Sequence, residues 1–365
     1  MMNQPSNFQQ MMQQMENNIA DESNAFAVDT TNQHRIHLTN PEALLHYTPS
    51  ARETAMLNRI KRVDDYSWSR GKNGGLDTGF TEFNEAIDGG IQSGFILFGA
   101  NPNVGKSAFM LQLMKNISER NENVYCEYHS KDDSVYELMP RWIACDQRIT
   151  IGQAKSPERY QDNTDAMERR NEGLKNLYRN ARRFNLMDSE EIPETIEDLE
   201  NHIKDLKMEL PENTKIVIGI DSFYDLRTTE NFGSNHQKEI GHIAKTIKQY
   251  AQTYDITFMC TAHLRKTGTK RPINDDLKEN NVIEYEANLL CLLYNEVGIK
   301  EQAADIYWES EDEELKMPVL EMRFSKNKYS DFKRTLFYHF VPSQSYFMET
   351  DKEATNRYAS LVYQN

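Results

Sequence analysis

GANPNVGKS, residues 99–107, follows the apolar run Phe95-Ile96-Leu97-Phe98 and leads straight into SAFMLQLMKNI. A buried strand, a tight turn and a helix in that order make a phosphate grip. Backbone N–H groups in the turn and the positive end of the helix dipole both favour phosphate oxygens. Asn101, Pro102, Asn103, Val104 and Gly105 form the loop, and Ala108 follows on the helix. Gly99 supplies the upstream glycine, with Ala100 at the first place of the eight-residue form. Lys106 is set to reach the β- and γ-phosphates of ATP, and the Ser107 hydroxyl to hold Mg²⁺. An ordinary Gly-Lys turn could carry these letters alone, but not the whole strand–turn–helix order.

The 365-residue chain has room for one large α/β domain with extensions, or for two modest ones. Its 38% apolar content supports a core under a very polar surface. Cys126, Cys145, Cys260 and Cys291 are scattered through apolar runs, so they read as buried small hydrophobes and not as zinc ligands. No apolar run approaches a membrane span and no signal peptide opens the chain, so a soluble intracellular protein is expected. A net charge of -15 counts against a surface that binds nucleic acid everywhere. It leaves room for a local basic path.

Residues 1–49 are polar, opening with MMNQPSNFQQMMQQMENN, and are expected to be a flexible tail or a short docking helix. Residues 50–73 read as a linker helix and linker: Ser50 and Glu53 match a capping box, and Met56, Leu57 and Ile60 share one face. From residue 74 to 350 strand and helix alternate. Strands are predicted near 95–98, 124–129, 184–188, 215–221, 256–261 and 289–294, and helices over 107–118, 194–210 and 237–253. This alternation implies an α/β fold with a mostly parallel sheet covered on both faces. VLEMRFSKNKYS and KRTLFYHFVP add a C-terminal antiparallel hairpin, and residues 351–365 are expected as a tail.

A phosphate loop needs an acid at a second strand end for the Mg²⁺ shell, and Asp221 closes the strand KIVIGIDS. Hydrolysis also needs a carboxylate to polarise water. VYCEYHSKDDS offers Glu127, Asp132 and Asp133, of which the last two lie just past the strand end. His263 ends the strand ITFMCTAH, where it could sense a γ-phosphate or simply sit capped. Arg265, Lys266, Lys270 and Arg271 then cluster in a loop punctuated by Gly and Pro, followed by Lys278, Glu279 and Asn281. Standing alone, such a charge run is usually a solvated loop.

In order, GLDTGFTEFNEAIDGGIQSG, the GANPNVGKS loop, YHSKDDSVYELMPRWIA, IVIGIDSFYDL, TAHLRK and DLKENNVIEYEANLLCLLYNE resemble the RecA-like motor domain of DnaB-type replicative helicases, in the short form found in phages. The resemblance spans about residues 74–350. It implies an ATP-driven helicase that moves 5′-to-3′ on single-stranded DNA as a homo-oligomeric ring, most simply a hexamer, in the host cytoplasm. It assigns catalysis to Lys106 and to Asp132 in the place of the family's glutamate, and puts Arg141 near the nucleotide. His263 stands where the family has a γ-phosphate-sensing Gln. Lys326 and Lys328 match a Lys-x-Arg pair that reaches a neighbouring subunit's site. The basic loop and the 278–281 segment match the DNA path, with Asn281 replacing a family Gly. A primase or loader is the implied partner, although the short N-terminal part departs from the family's helical collar. A recombination ATPase of the RecA or RadA type, or a nucleotide-gated clamp, would share the same loop.

Overall fold

The computed structural model describes residues 26–28, 36–38, 50–69, 74–265, 268–277, 281–310 and 313–363. The chain divides into two units, Met1–Arg70 and Gly71–Asn365. In the first, β1 (Phe26–Val28) and β2 (Ile36–Leu38) pair antiparallel, where a tail or helix was expected. The helix Ala51–Ser69 takes up most of the predicted linker segment and leaves Met56 and Ile60 exposed.

The second unit is built on ten strands. They are β3 (Gly94–Ala100), β4 (Val124–Ser130), β5 (Phe184–Met187), β6 (Lys215–Asp221), β7 (Thr257–His263), β8 (Leu289–Asn295), β9 (Tyr307–Ser310), β10 (Glu313–Asn327), β11 (Thr335–Val341) and β12 (Tyr346–Glu349). Their order is β12-β11-β10-β8-β3-β7-β6-β4-β5, with β9 on β10. The run from β8 to β5 is parallel, and β10, β11 and β12 are added antiparallel. The α/β fold with a mostly parallel sheet and a C-terminal antiparallel hairpin is therefore present.

Strands buried on both faces read as unbroken apolar runs. Along β3, Ile96, Phe98 and Ala100 pack on one face while Phe95 and Leu97 pack on the other. The first face is covered by the helix Lys106–Arg120, whose Phe109 meets Phe80, Phe98, Tyr338 and Phe347 within 6 Å ring-to-ring. Full burial of such a ring contributes roughly 1.5–3 kcal/mol. The opposite face is covered by the helices Ile196–Glu209 and His236–Tyr254, which supply Leu199, Ile203, Ile240, Ile243 and Ile247. Gly219 of β6 lets the first helix lie close, since a Cβ there would stand 2.2 Å from Met114 Sδ. All four cysteines are buried and free.

The C-terminal residues expected as a tail carry the helix Lys352–Tyr363 instead. Its Tyr358 is buried against Ile306, Val319 and Phe337. Among the described residues no helix is long and apolar enough to cross a membrane.

Candidate functional site

Parallel register brings the chemistry-bearing residues to one edge of the sheet. Ala100 pairs with His263 across β3 and β7, and Ser130 pairs with Asp221 across β4 and β6. In open α/β sheets this carboxyl edge is where ligands bind. The turn after β3 has Asn103 at φ 64° and Gly105 at φ 103°, and Gly105 caps the helix Lys106–Arg120. A Cβ at Gly105 would stand 3.1 Å from the Phe340 ring and 3.2 Å from that of Phe347, in a backbone region side chains rarely adopt. The loop thus rests on β11 and β12, whose Phe340 and Phe347 rings stack 4.1 Å apart.

Asp221 is the hub of this edge. It is 5% exposed, with Lys106 Nζ 3.2 Å from Oδ1. The Tyr128 hydroxyl donates to Oδ2 at 2.8 Å, and the Thr261 hydroxyl donates to Oδ1. Burial alone would push the carboxyl up. The Lys106 charge and hydrogen bonds from Ser107, Thr261 and Tyr128 outweigh it and hold Asp221 below its ordinary value. Ser107 and Asp221 so meet as hydroxyl and carboxylate, the oxygen donor set that suits Mg²⁺. Sequence reasoning misses Tyr128 and Thr261. For Thr261 the one signal is a polar residue two places before His263, just after the apolar run Phe258-Met259-Cys260.

The three candidate water-activating acids fall in different places. Asp133 accepts from Arg141 Nη1 at 2.5 Å and receives a second, longer bond from Nη2 at 3.4 Å. Asp132 is exposed beside it. Glu127 is 2% exposed and belongs to the other face of β4, where Tyr125, His129 and His202 bind it. It cannot reach the phosphate loop.

His263 ends β7 beside the loop, half-buried. Arg265 and Lys270 are exposed; Lys266, Lys278 and Glu279 lie outside the described residues, as does the side chain of Asn281. Arg271 is committed elsewhere. Its guanidinium forks onto buried Glu321, Nε to Oε2 at 2.7 Å and Nη2 to Oε1 at 2.9 Å, and lies over the Tyr294 ring. Lys326, beside an irregularity in β10, donates to the carbonyls of Tyr285, at 2.7 Å, and Glu284. Burial and the charges of Lys328 and Lys248 bring its pKa down to about 8, against an opposing pull from Glu284. Lys328 is exposed.

A glycine-capped phosphate turn on a central parallel strand, with a lysine-paired aspartate at the head of the next strand but one, defines a P-loop NTPase core of the RecA-like kind. The chain belongs to the DnaB-like helicase C terminal domain family, whose model matches residues 75–338. It is 24% identical over 253 residues to the replicative DNA helicase DnaB of Haemophilus influenzae, covering 67% of this chain and 52% of that protein. With the replicative DNA helicase DnaB of Geobacillus stearothermophilus it shares 26% over 231 residues, covering 61% and 47%. The chain thus spans about half the length of the curated relatives it matches. Its fold is similar to that of a solved ATPase domain, with TM-score 0.67 and 20% identity over 83% of this chain and 100% of the other. It is equally similar, at TM-score 0.67 and 19% identity, to a DnaB-like replicative helicase studied for its interactions with primase, covering 83% of this chain and 68% of that one.

Proposed function

We propose that this protein is an ATP-driven replicative DNA helicase that moves on single-stranded DNA as a homo-oligomeric ring, most simply a hexamer. The observation that carries the proposal is the Lys106–Asp221–Ser107 cluster at the sheet edge of a DnaB-like domain. Lys106 is held by Asp221 with its ammonium at the base of the loop, ready to move onto the phosphates. Ser107 and Asp221 would hold Mg²⁺, which neutralises phosphate charge when bound. Thr261 and Tyr128 keep the Asp221 carboxylate ionised and oriented. Asp132, exposed past the end of β4, polarises the attacking water, while Arg141 is steadied by Asp133. His263, two residues after Thr261 on β7, reads the γ-phosphate and passes its state to the loop that follows.

Arg265, Lys266, Lys270 and Lys278 line the DNA path. Contacts from lysine, arginine and backbone N–H groups to phosphate carry no sequence information, as a translocating motor requires. Lys326 and Lys328 act toward the neighbouring subunit's site. The helix Ala51–Ser69 docks on an adjacent subunit, and a primase or loader is the further partner. The 5′-to-3′ direction, cytoplasmic location and phage-like setting follow the family resemblance.

Strand displacement on forks with either tail removed tests this. Unwinding that needs ATP and one particular tail is expected. Steady DNA-stimulated turnover without unwinding would point to a recombination ATPase, and no turnover to a nucleotide-gated clamp.

A further inference from the structure

On the face of β4 turned away from the phosphate loop, three chemistry-bearing side chains converge that the NTPase cycle does not use. Glu127 and His129 alternate on the strand, and His202 comes from the helix Ile196–Glu209. Both imidazoles present Nε2 to the same oxygen, Glu127 Oε2, at 3.1 Å from His129 and 2.7 Å from His202. The three ligand atoms lie within 4.8 Å of one another. Glu127 and His129 are 2% and 4% exposed, and the His202 side chain 26%. Tyr125 donates to the other carboxylate oxygen, Oε1, at 3.0 Å.

We infer that Glu127, His129 and His202 form a binding site for a divalent transition-metal ion of the zinc type, which ties β4 to the helix behind it. Two imidazole nitrogens and one carboxylate oxygen are a recurrent donor set for such ions, and imidazole favours zinc over magnesium. Metal–ligand bonds of about 2.0–2.1 Å in a tetrahedral shell place ligand atoms about 3.3 Å apart. The 2.7 Å contact therefore needs to open by about 0.6 Å and the 3.1 Å contact by about 0.2 Å, while the two imidazole nitrogens, within 4.8 Å of each other, settle at the same spacing. The Tyr125 hydroxyl on the distal oxygen is the kind of outer contact that fixes a ligating carboxylate. The site is separate from the Ser107–Asp221 pair, whose oxygen donors suit Mg²⁺.

The test uses the full chain, stripped with a chelator and supplied with Zn²⁺ in millimolar Mg²⁺, which occupies the oxygen site. One Zn²⁺ per chain retained through gel filtration, with the thermal midpoint raised by a few degrees, is the expected result. His202→Gln, on a partly exposed helix face, should lose both effects while keeping wild-type circular dichroism. Co²⁺ in wild type should show visible absorption of nitrogen-ligated, low-coordinate metal, and Glu127→Gln should alter that spectrum. Stripped wild type that retains no Zn²⁺ and gives no such Co²⁺ spectrum would overturn the inference, because the cluster is then a hydrogen-bonded network only. Equal retention by folded His202→Gln would overturn it too, by placing the metal elsewhere.

Discussion

The Lys106 ammonium and the Asp221 carboxylate face each other at 3.2 Å, with side chains 8% and 7% exposed. Lys106 is therefore part of the folded core as well as of the proposed phosphate grip. Lys106→Ala is expected to abolish hydrolysis and also to destabilise the domain, by about 3–5 kcal/mol at pH 7, because it strands a buried charge. The pH dependence has a definite sign. In wild type the folded Asp221 pKa is lowered, so its contribution is present above the unfolded value and is lost as pH falls through the folded one. Without Lys106, burial dominates, the folded pKa rises, and the defect should shrink toward pH 4. Denaturant midpoints across pH measure this. A Lys106→Ala/Asp221→Asn pair should recover stability but not turnover. A single mutant as stable as wild type at pH 7 would remove the pairing from the energetics.

The acids past β4 separate by their partners. Asp133 is engaged by Arg141 and Asp132 is exposed. Asp132→Asn should lose turnover by about 10²–10⁴-fold while ATP binding stays near wild type, since a general base acts in the transition state. Asp133→Asn should be milder and should loosen ATP binding through Arg141. Single-turnover rates beside equilibrium binding of a fluorescent ATP analogue discriminate them. The reverse pattern would exchange their roles.

Much of this architecture is legible in the sequence, for identifiable reasons. Strands β3, β6, β7 and β8 are buried and mostly apolar, so each appears as an apolar run, and their bounds and those of β4 fall within about two residues of those predicted. What a run cannot reveal is its neighbours. That Tyr128 and Thr261 both meet Asp221 depends on the order β3-β7-β6-β4, which alternation along one chain does not encode. For the same reason Arg271 reads as one more loop cation, although its partner Glu321 lies fifty residues away on β10. The helix Lys352–Tyr363 stays hidden because it buries a single tyrosine, too little for a periodic signal.

Arg271 therefore serves as an internal control for the DNA path. Reversing Arg265, Lys266, Lys270 and Lys278 to Glu should weaken single-strand binding and flatten its salt slope, by about 0.7 for each phosphate no longer neutralised. Basal ATPase should survive. Arg271→Glu should instead lower stability, because Glu321 and Glu296 would be left buried beside a third carboxylate. Filter binding over a salt series, paired with thermal melts, separates the two classes. An unchanged slope in the quadruple variant would move the DNA path elsewhere.

Lys326 bears on whether one subunit is a complete enzyme. Its ammonium caps the carbonyls of Glu284 and Tyr285, and its pKa stands at about 8, so its charge is lost within an accessible pH range. If Lys326 and Lys328 stabilise charge in a neighbouring site, turnover per subunit should rise with protein concentration as rings form. A trans-acting arginine contributes roughly 10³–10⁵ in rate; lysine, a hydrated point charge without the planar fork, should contribute less. The concentration-dependent part of turnover should then fall on the alkaline side, above about pH 8, since phosphate charge in the neighbouring site raises the Lys326 pKa from its single-chain value. Lys326→Arg should carry that alkaline limb beyond the measurable range, because guanidinium stays charged. Lys326→Ala subunits mixed into wild type should depress activity by more than their mole fraction, since each disables a neighbour. A lysine that only binds the Glu284 and Tyr285 carbonyls predicts proportional loss and no pH limb of its own. Strict proportionality in mixtures shown to co-assemble, with the same alkaline limb in Lys326→Arg, would confine Lys326 to that structural role.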